Sequence, residues 1–340
     1  MLVRTRNTAL GLPLAVLAAF AFGVGGPFVR PLLESGWSST AAVLCRCLGT
    51  VLALLVPALV LLRGRWSVLR RNAWTIVAYG AFAVAVVQLF FYSAITRMSV
   101  GGALLIEYLA PVLLVLWSWL RTRRRPGGRV LAGCALAVAG LLLVVDLTGS
   151  GGADPVGPVL ALIAAIGVAV YYVVNARVDP DLHPIVLLTA AMLVGSVLLL
   201  AVAAVGIVPL RFAFGEVLLA GTAVPWWVSA GVMVLVSTTA AYLLGIAGGA
   251  RLGSRVASFV GLFEVLFAVL AAWVLLGDLP APIQLVGGVL ILAGVVLVKL
   301  QGERPEAAIA AATAHVPPRA SRWPFRARAA RTAETSRSGS

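Results

Sequence analysis

The chain has 340 residues, of which 61% are hydrophobic and 11% charged, with a formal net charge of +14 at pH 7. A mean hydropathy of +1.06 excludes a soluble globular protein, and three cysteines make no disulfide framework. The positive charge is gathered in loops and in the C-terminal tail, so it reads as membrane topology and not as a nucleic-acid footprint.

Apolar stretches fall at about 10–28, 38–62, 73–95, 100–120, 129–147, 156–175, 184–208, 224–248, 255–276 and 282–299. Each is near the roughly 20 residues that a hydrocarbon core of about 30 Å demands. The expected fold is all-α and integral to the membrane, with ten transmembrane helices. Arg4 and Arg6 before the first stretch, with Ala19-Phe20-Ala21 inside it, imitate a cleavable signal. Its removal would leave nine helices, so the stretch is read as a retained crossing.

Ionisable groups at membrane depth cost several kcal/mol unless they are paired or solvated in a cavity. The second stretch carries Arg46 between Cys45 and Cys47; residues two apart on a helix point about 200° apart, so these cysteines cannot clamp one metal and read as small apolar fillers. In the third, Gln88 and Tyr92 are one turn apart and share a face, lining a cavity or packing a helix contact. The fourth carries Glu107, Tyr108 and Pro111, the proline able to weaken its helix one turn beyond Glu107. Arg46 and Glu107 both lie about eight residues, or roughly 12 Å, below the outer helix ends. Equal depth and opposite sign predict a buried ion pair, which would either clamp substrate or only pin two helices together.

The fifth stretch carries Gly133 and Gly140, and the tenth Gly287, Gly288 and Gly294, spacings that allow close helix approach. Apart from Asp146 they lack ionisable groups at depth, and they read as scaffold or as homodimer contacts. Tyr171, Tyr172 and Asn175 stand toward the inner end of the sixth stretch, where such tyrosines are more often interfacial anchors than ligands. Trp226-Trp227 and Tyr242 lie in the eighth. Glu264 lies near the midplane of the ninth, with no arginine of the second half at its depth. An unpaired carboxylate there favours its protonated form, as a proton-coupled carrier needs, or else is a neutral group hydrogen-bonded within the helix packing.

Laid on itself with an offset of 154, the chain places Arg97 on Arg251, Trp119 on Trp273, and Gly133 and Gly140 on Gly287 and Gly294. An offset of 146 places Gly49-Thr50 on Gly195-Ser196. Each half holds five helices, and because five is odd the halves form an inverted repeat of the kind that builds secondary transporters. The expected boundaries are a cytoplasmic N-terminus at 1–8, repeats at 9–149 and 150–300, and a basic disordered cytoplasmic tail at 301–340.

Arginines at 63, 65, 70 and 71, at 121, 123, 124, 125 and 129, and at 177, 251 and 255 mark the cytoplasmic loops and place both termini inside. Trp323 and Phe325 among the tail arginines would add weak attraction to anionic membrane lipid. No phosphate-binding GxxxxGK[ST] motif occurs, and neither His183 nor His315 has a metal-ligand neighbour, so neither metal nor cofactor is implied, the chain does not hydrolyse ATP through a P-loop, and a gradient of ions or substrate or a partner subunit must drive it.

Three features come together in order: Arg46 in the second helix, Leu105-Ile106-Glu107-Tyr108-Leu109-Ala110-Pro111-Val112 in the fourth, and Gly261-Leu262-Phe263-Glu264-Val265 running to Gly277-Asp278 in the ninth. On these the chain resembles the EamA proteins of the drug/metabolite transporter superfamily across residues 9–300. Members commonly have a proline where Val265 stands and a Gly-Glu ending where this chain has Gly277-Asp278, while its first half reads Arg121-Thr122-Arg123-Arg124-Arg125. The resemblance implies export or exchange of small metabolites, amino acids or drugs through a central cavity in a bacterial inner membrane. Arg46, Gln88, Tyr92, Glu107, Tyr108 and Tyr242 are the expected substrate-binding residues, with Glu264 and Glu107 the coupling carboxylates. A membrane scaffold or a lipid-handling enzyme is the alternative; the enzyme would need a nucleophile, base or metal cluster at one membrane face, and the sequence offers none.

Overall fold

The structure is a computed structural model that describes residues 8–123, 125–145 and 154–301. The expectations for residues 1–7, Arg124, Asp146 and the tail from residue 302 lie outside the described residues.

Among the described residues ten helices are long and apolar enough to cross a membrane: α1 (Leu10–Glu34), α2 (Ser39–Leu62), α3 (Ala73–Ala94), α4 (Val100–Thr122), α5 (Gly128–Val145), α6 (Val156–Asn175), α7 (Pro184–Ala204), α8 (Trp226–Leu252), α9 (Val256–Leu276) and α10 (Pro282–Leu300). Their ends match the apolar stretches within a few residues, except that α1 runs on to Glu34 instead of stopping near 28. After a turn at Val24 a second segment, Gly25–Glu34, places Pro27 in its first turn. There a proline's missing N–H breaks no helical bond.

One local feature escaped the sequence reading. Between α7 and α8, β1 (Glu216–Leu219) and β2 (Thr222–Pro225) form an antiparallel hairpin. Ala220 and Gly221 at its tip have φ of 51° and 75°, the positive pair that a two-residue turn between right-twisted strands demands. The Ala220 N–H bonds the Leu275 carbonyl at 2.8 Å, tying the hairpin to α9. Trp37 caps this end of the bundle, its ring centroid 5.0 Å from that of Phe212 and 5.7 Å from that of Trp226.

Packing follows the repeat. α1 lies along α8 and α9, and its counterpart α6 lies along α3 and α4; α2 touches α8 as α7 touches α3. The pairs α2–α7, α4–α9 and α5–α10 join each helix to its own counterpart. Exchanging the two halves maps these contacts onto one another, which is consistent with the inverted repeat.

Two details reinforce this. α3 and α8 each wind into a π-helix, at Tyr79–Val86 and Val232–Ala240, and an offset of 154 carries the first onto 233–240. Such wide turns are uncommon and cluster at functional sites. In α8 the hydroxyls of Ser237 and Thr238 both donate to the Met233 carbonyl, and Thr239 to that of Val234, taking up carbonyls along the wide turn. Next to these segments the halves use matching contacts: a β-carbon on Gly195 would meet Val84 at 2.6 Å, and one on Gly49 would meet Val234 at 2.7 Å.

The glycines of α5 and α10 correct one expectation. A β-carbon on Gly133 would lie 2.8 Å from the Gly294 carbonyl, and one on Gly140 2.5 Å from that of Gly287. All four glycines are buried within one chain, so the face offered above as a homodimer contact is already filled by its own repeat partner.

Candidate functional site

Both α4 and α9 are interrupted halfway, and the interruptions correspond. In α4 the helical run ends at Glu107 and resumes at Ala110. Pro111 is the cause, because it has no N–H to return to the Glu107 carbonyl. In α9 the run ends at Val260 and resumes at Phe263. No proline acts there; instead the N–H groups of Leu262, Glu264 and Val265 bond three residues back, at 3.0, 3.1 and 3.3 Å, in a tightened turn. An offset of 154 carries Glu107-Tyr108 onto Gly261-Leu262. Replacement of the family's usual proline by Val265 has therefore not removed the second break.

Tyr108 in the first break and Glu264 just after the second lie on the wall of a cavity of about 570 Å³ between the halves. Arg46, Gln88, Tyr92, Glu107, Tyr108, Tyr242 and Glu264, singled out from widely separated stretches, all lie on its wall. Tyr171, Tyr172 and Asn175 lie there too, so these two tyrosines face the interior and are not the interfacial anchors that their position near a helix end suggested. With Tyr79, which sequence reasoning missed, all six tyrosines of the chain line the cavity. The missed signal was periodic: Tyr79, Ala83, Val87, Gln88, Phe91 and Tyr92 are the lining residues of α3, a helical stripe of the usual 3–4 residue spacing. Phe22 and Lys299, not expected at the cavity, line it as well.

The expected ion pair between Arg46 and Glu107 does not form. Arg46 instead donates through Nη1 to the Tyr92 hydroxyl at 2.8 Å, its guanidinium carbon 5.9 Å from the Tyr92 ring centre. Equal depth left the direction around each axis open, and Arg46 points at α3. Among the described residues the Glu107 side chain has no hydrogen-bond or ion-pair partner, and Arg46 Nε and Gln88 Oε1 are buried without one. Unsatisfied polar atoms of this kind need a partner, and here they border a cavity. Glu264, expected to be unpaired, meets Tyr108: the Tyr108 hydroxyl is within hydrogen-bond distance of two oxygens, the Gly261 carbonyl at 2.8 Å and Glu264 Oε2 at 2.9 Å.

The cavity runs to one end of the bundle. Asn175 at the close of α6, Pro184 at the start of α7 and Lys299 near the end of α10 border that end. At the other end the wall is Gly23, Gly25, Gly26, Val100 and Leu104. Arg30 of α1 joins the repeats on that same side through a 2.7 Å ion pair with Asp278 beyond α9.

Comparison with known proteins agrees with this architecture. The model of the EamA-like transporter family matches residues 9–146 and again 155–300. An uncharacterized inner membrane transporter, YicL, of Salmonella typhimurium is 27% identical over 142 residues, which cover 41% of this chain and 47% of that protein. The aligned part thus spans about half the length of the curated relative. A crystal structure described only as that of a protein is 20% identical, covers 87% of this chain and 98% of its own, and superposes with a TM-score of 0.52, a likeness of fold alone. With the family's pattern matched twice, once in each five-helix half, the chain is a multi-pass membrane protein that belongs to the EamA-like transporter family.

Proposed function

We propose that the protein is a secondary transporter of the inner membrane that exports or exchanges a small amphipathic metabolite by alternating access, coupled to protons at Glu264. The observation that carries this reading is the cavity beside the two helix breaks, bordered by Asn175 and Lys299 toward one end of the bundle and by Gly25, Gly26 and Val100 toward the other. Its six tyrosines offer apolar ring faces, while Arg46 supplies unpaired donors and Glu107 an unpaired acceptor, the combination that holds a molecule with an apolar body and polar ends. The arginine-rich loops favour a cytoplasmic position for the Asn175 end of the cavity and for both termini. Broken helices at mid-depth are where such carriers bind and rock.

Untargeted comparison of metabolites inside and outside cells with and without the protein tests transport directly. A compound should accumulate inside when the protein is removed; unchanged profiles across growth conditions would argue for the scaffold. Orientation is tested by fusing a reporter enzyme that is active only outside the cytoplasm after Arg65 or at Ser340, where it should stay silent.

A further inference from the structure

We propose that Tyr108 is a positioning residue that reports the protonation of Glu264 to the break in α9. The inference rests on the transporter reading with Glu264 as its proton site, and names how that site would move the backbone. Tyr108 stands in the break of α4, and its hydroxyl reaches both the carbonyl of Gly261, in the break of α9, and the carboxyl of Glu264 three residues on. One break thus holds the other through a single side chain.

A phenol has one proton to give. The Gly261 carbonyl can only accept it, and an ionised Glu264 can likewise only accept. When Glu264 is protonated, its own O–H donates to the Tyr108 oxygen and Tyr108 donates onward to Gly261, so that both short distances are hydrogen bonds. When the Glu264 proton leaves to the cavity, the carboxylate takes the phenol proton, because a charge-assisted bond is roughly twice as strong as a neutral one. Gly261 then loses its bond to α4 and keeps only the N–H of Glu264. Protonation ties the Gly261 carbonyl to the break in α4; deprotonation releases that carbonyl and loosens the turn at Gly261-Leu262, while Tyr108 stays bonded to α9 through Glu264.

Other groups around Glu264 set the field in which it titrates. Glu107 faces the same cavity from α4, Arg46 from α2, Tyr79 and Tyr92 from α3, Tyr171 and Tyr172 from α6 and Tyr242 from α8, with Lys299 of α10 at the mouth. α1 adds no titratable group to this wall, only the Phe22 ring and glycines, of which Gly23 packs against the Glu264 backbone carbonyl. Among them Tyr108 is the one that the structure shows bonded to both the carboxyl and the opposite break.

The test uses hydrogen–deuterium exchange of the 259–266 segment in the purified full chain in lipid nanodiscs, across pH, after correction for the base catalysis of exchange. In the wild type exchange should rise roughly two- to tenfold as Glu264 ionises, the factor that one hydrogen bond gives. Glu264→Gln, whose amide donates to Tyr108 and cannot titrate, should stay slow at every pH. Tyr108→Phe, which keeps the ring, should be fast at every pH. A wild type without pH dependence, or either variant alone retaining the wild-type profile, overturns the latch. None of these readings uses substrate flux, so a failed latch beside intact metabolite export leaves the carrier standing, and the reverse result sinks only the carrier.

Discussion

Gly140 of α5 and Gly287 of α10 meet backbone to backbone, and the contact is mutual: a β-carbon on the first would lie 2.5 Å from the carbonyl of the second, and one on the second 2.7 Å from the carbonyl of the first. Gly133 and Gly294 repeat the arrangement two turns away. The two last helices of the halves thus form a fixed seam, away from the cavity.

Because backbone on each side blocks relaxation, Gly140→Val or Gly294→Val should cost the folded state about 1–3 kcal/mol or more. Thermal unfolding in detergent, read by light scattering, measures it. Gly64, beside which a β-carbon would meet nothing within 4 Å, has a φ of 72°, so Gly64→Asn is the control that should leave the transition nearly unmoved. Equal effects at both places would mean that the seam is not tightly packed.

The bond from Arg46 to Tyr92 predicts which pair is energetically coupled. Tyr92→Phe removes the acceptor and should cost about 1–3 kcal/mol by leaving a buried guanidinium underbonded. A double-mutant cycle of Arg46→Met with Tyr92→Phe should show an interaction energy above about 0.5 kcal/mol, whereas Arg46→Met with Glu107→Gln should be additive within that margin. Coupling confined to the second cycle would restore the ion pair expected from depth.

Glu264→Gln should insert and fold like the wild type, since a neutral amide resembles the protonated acid and can still donate to Tyr108. In vesicles with an imposed pH gradient, uphill transport of the identified substrate should vanish while downhill exchange persists. Full gradient-driven flux in the variant would make Glu264 structural.

In the loops before α4 and α6, Arg97 donates to Asp154 at 2.7 Å, and the Val156 N–H donates to the same carboxyl at 2.9 Å. Together they hold the Asp154 carboxyl below its ordinary range. A lowered native value means that the contribution is present above the unfolded value and lost as pH falls through the native one. Exchange protection at 96–100 and 156–160 should therefore persist through mildly acid pH and fade only below the usual carboxylate range. Asp154→Asn should show the loosened profile already at neutral pH; unchanged protection there would show that this link does not hold the loop.

Membrane crossings were legible because each depends only on about 20 consecutive apolar residues, a local property. The repeat was legible for the same reason, since Gly133 and Gly287, or Gly49 and Gly195, keep their order along the chain. Depth could also be counted, at 1.5 Å per residue, which is why Arg46, Glu107 and Glu264 stood out. Direction around each helix axis could not be counted. The π-helical segments in α3 and α8 and the breaks at Tyr108-Leu109 and Gly261-Leu262 change the number of residues per turn, so a phase extrapolated along an ideal helix drifts before it reaches the cavity. Tertiary packing alone decided that Arg46 meets Tyr92 and not Glu107, that Tyr171 and Tyr172 turn inward, and that the α5 and α10 glycines face each other. Those outcomes depend on which neighbours fill the space around each helix, and no single stretch of sequence carries that.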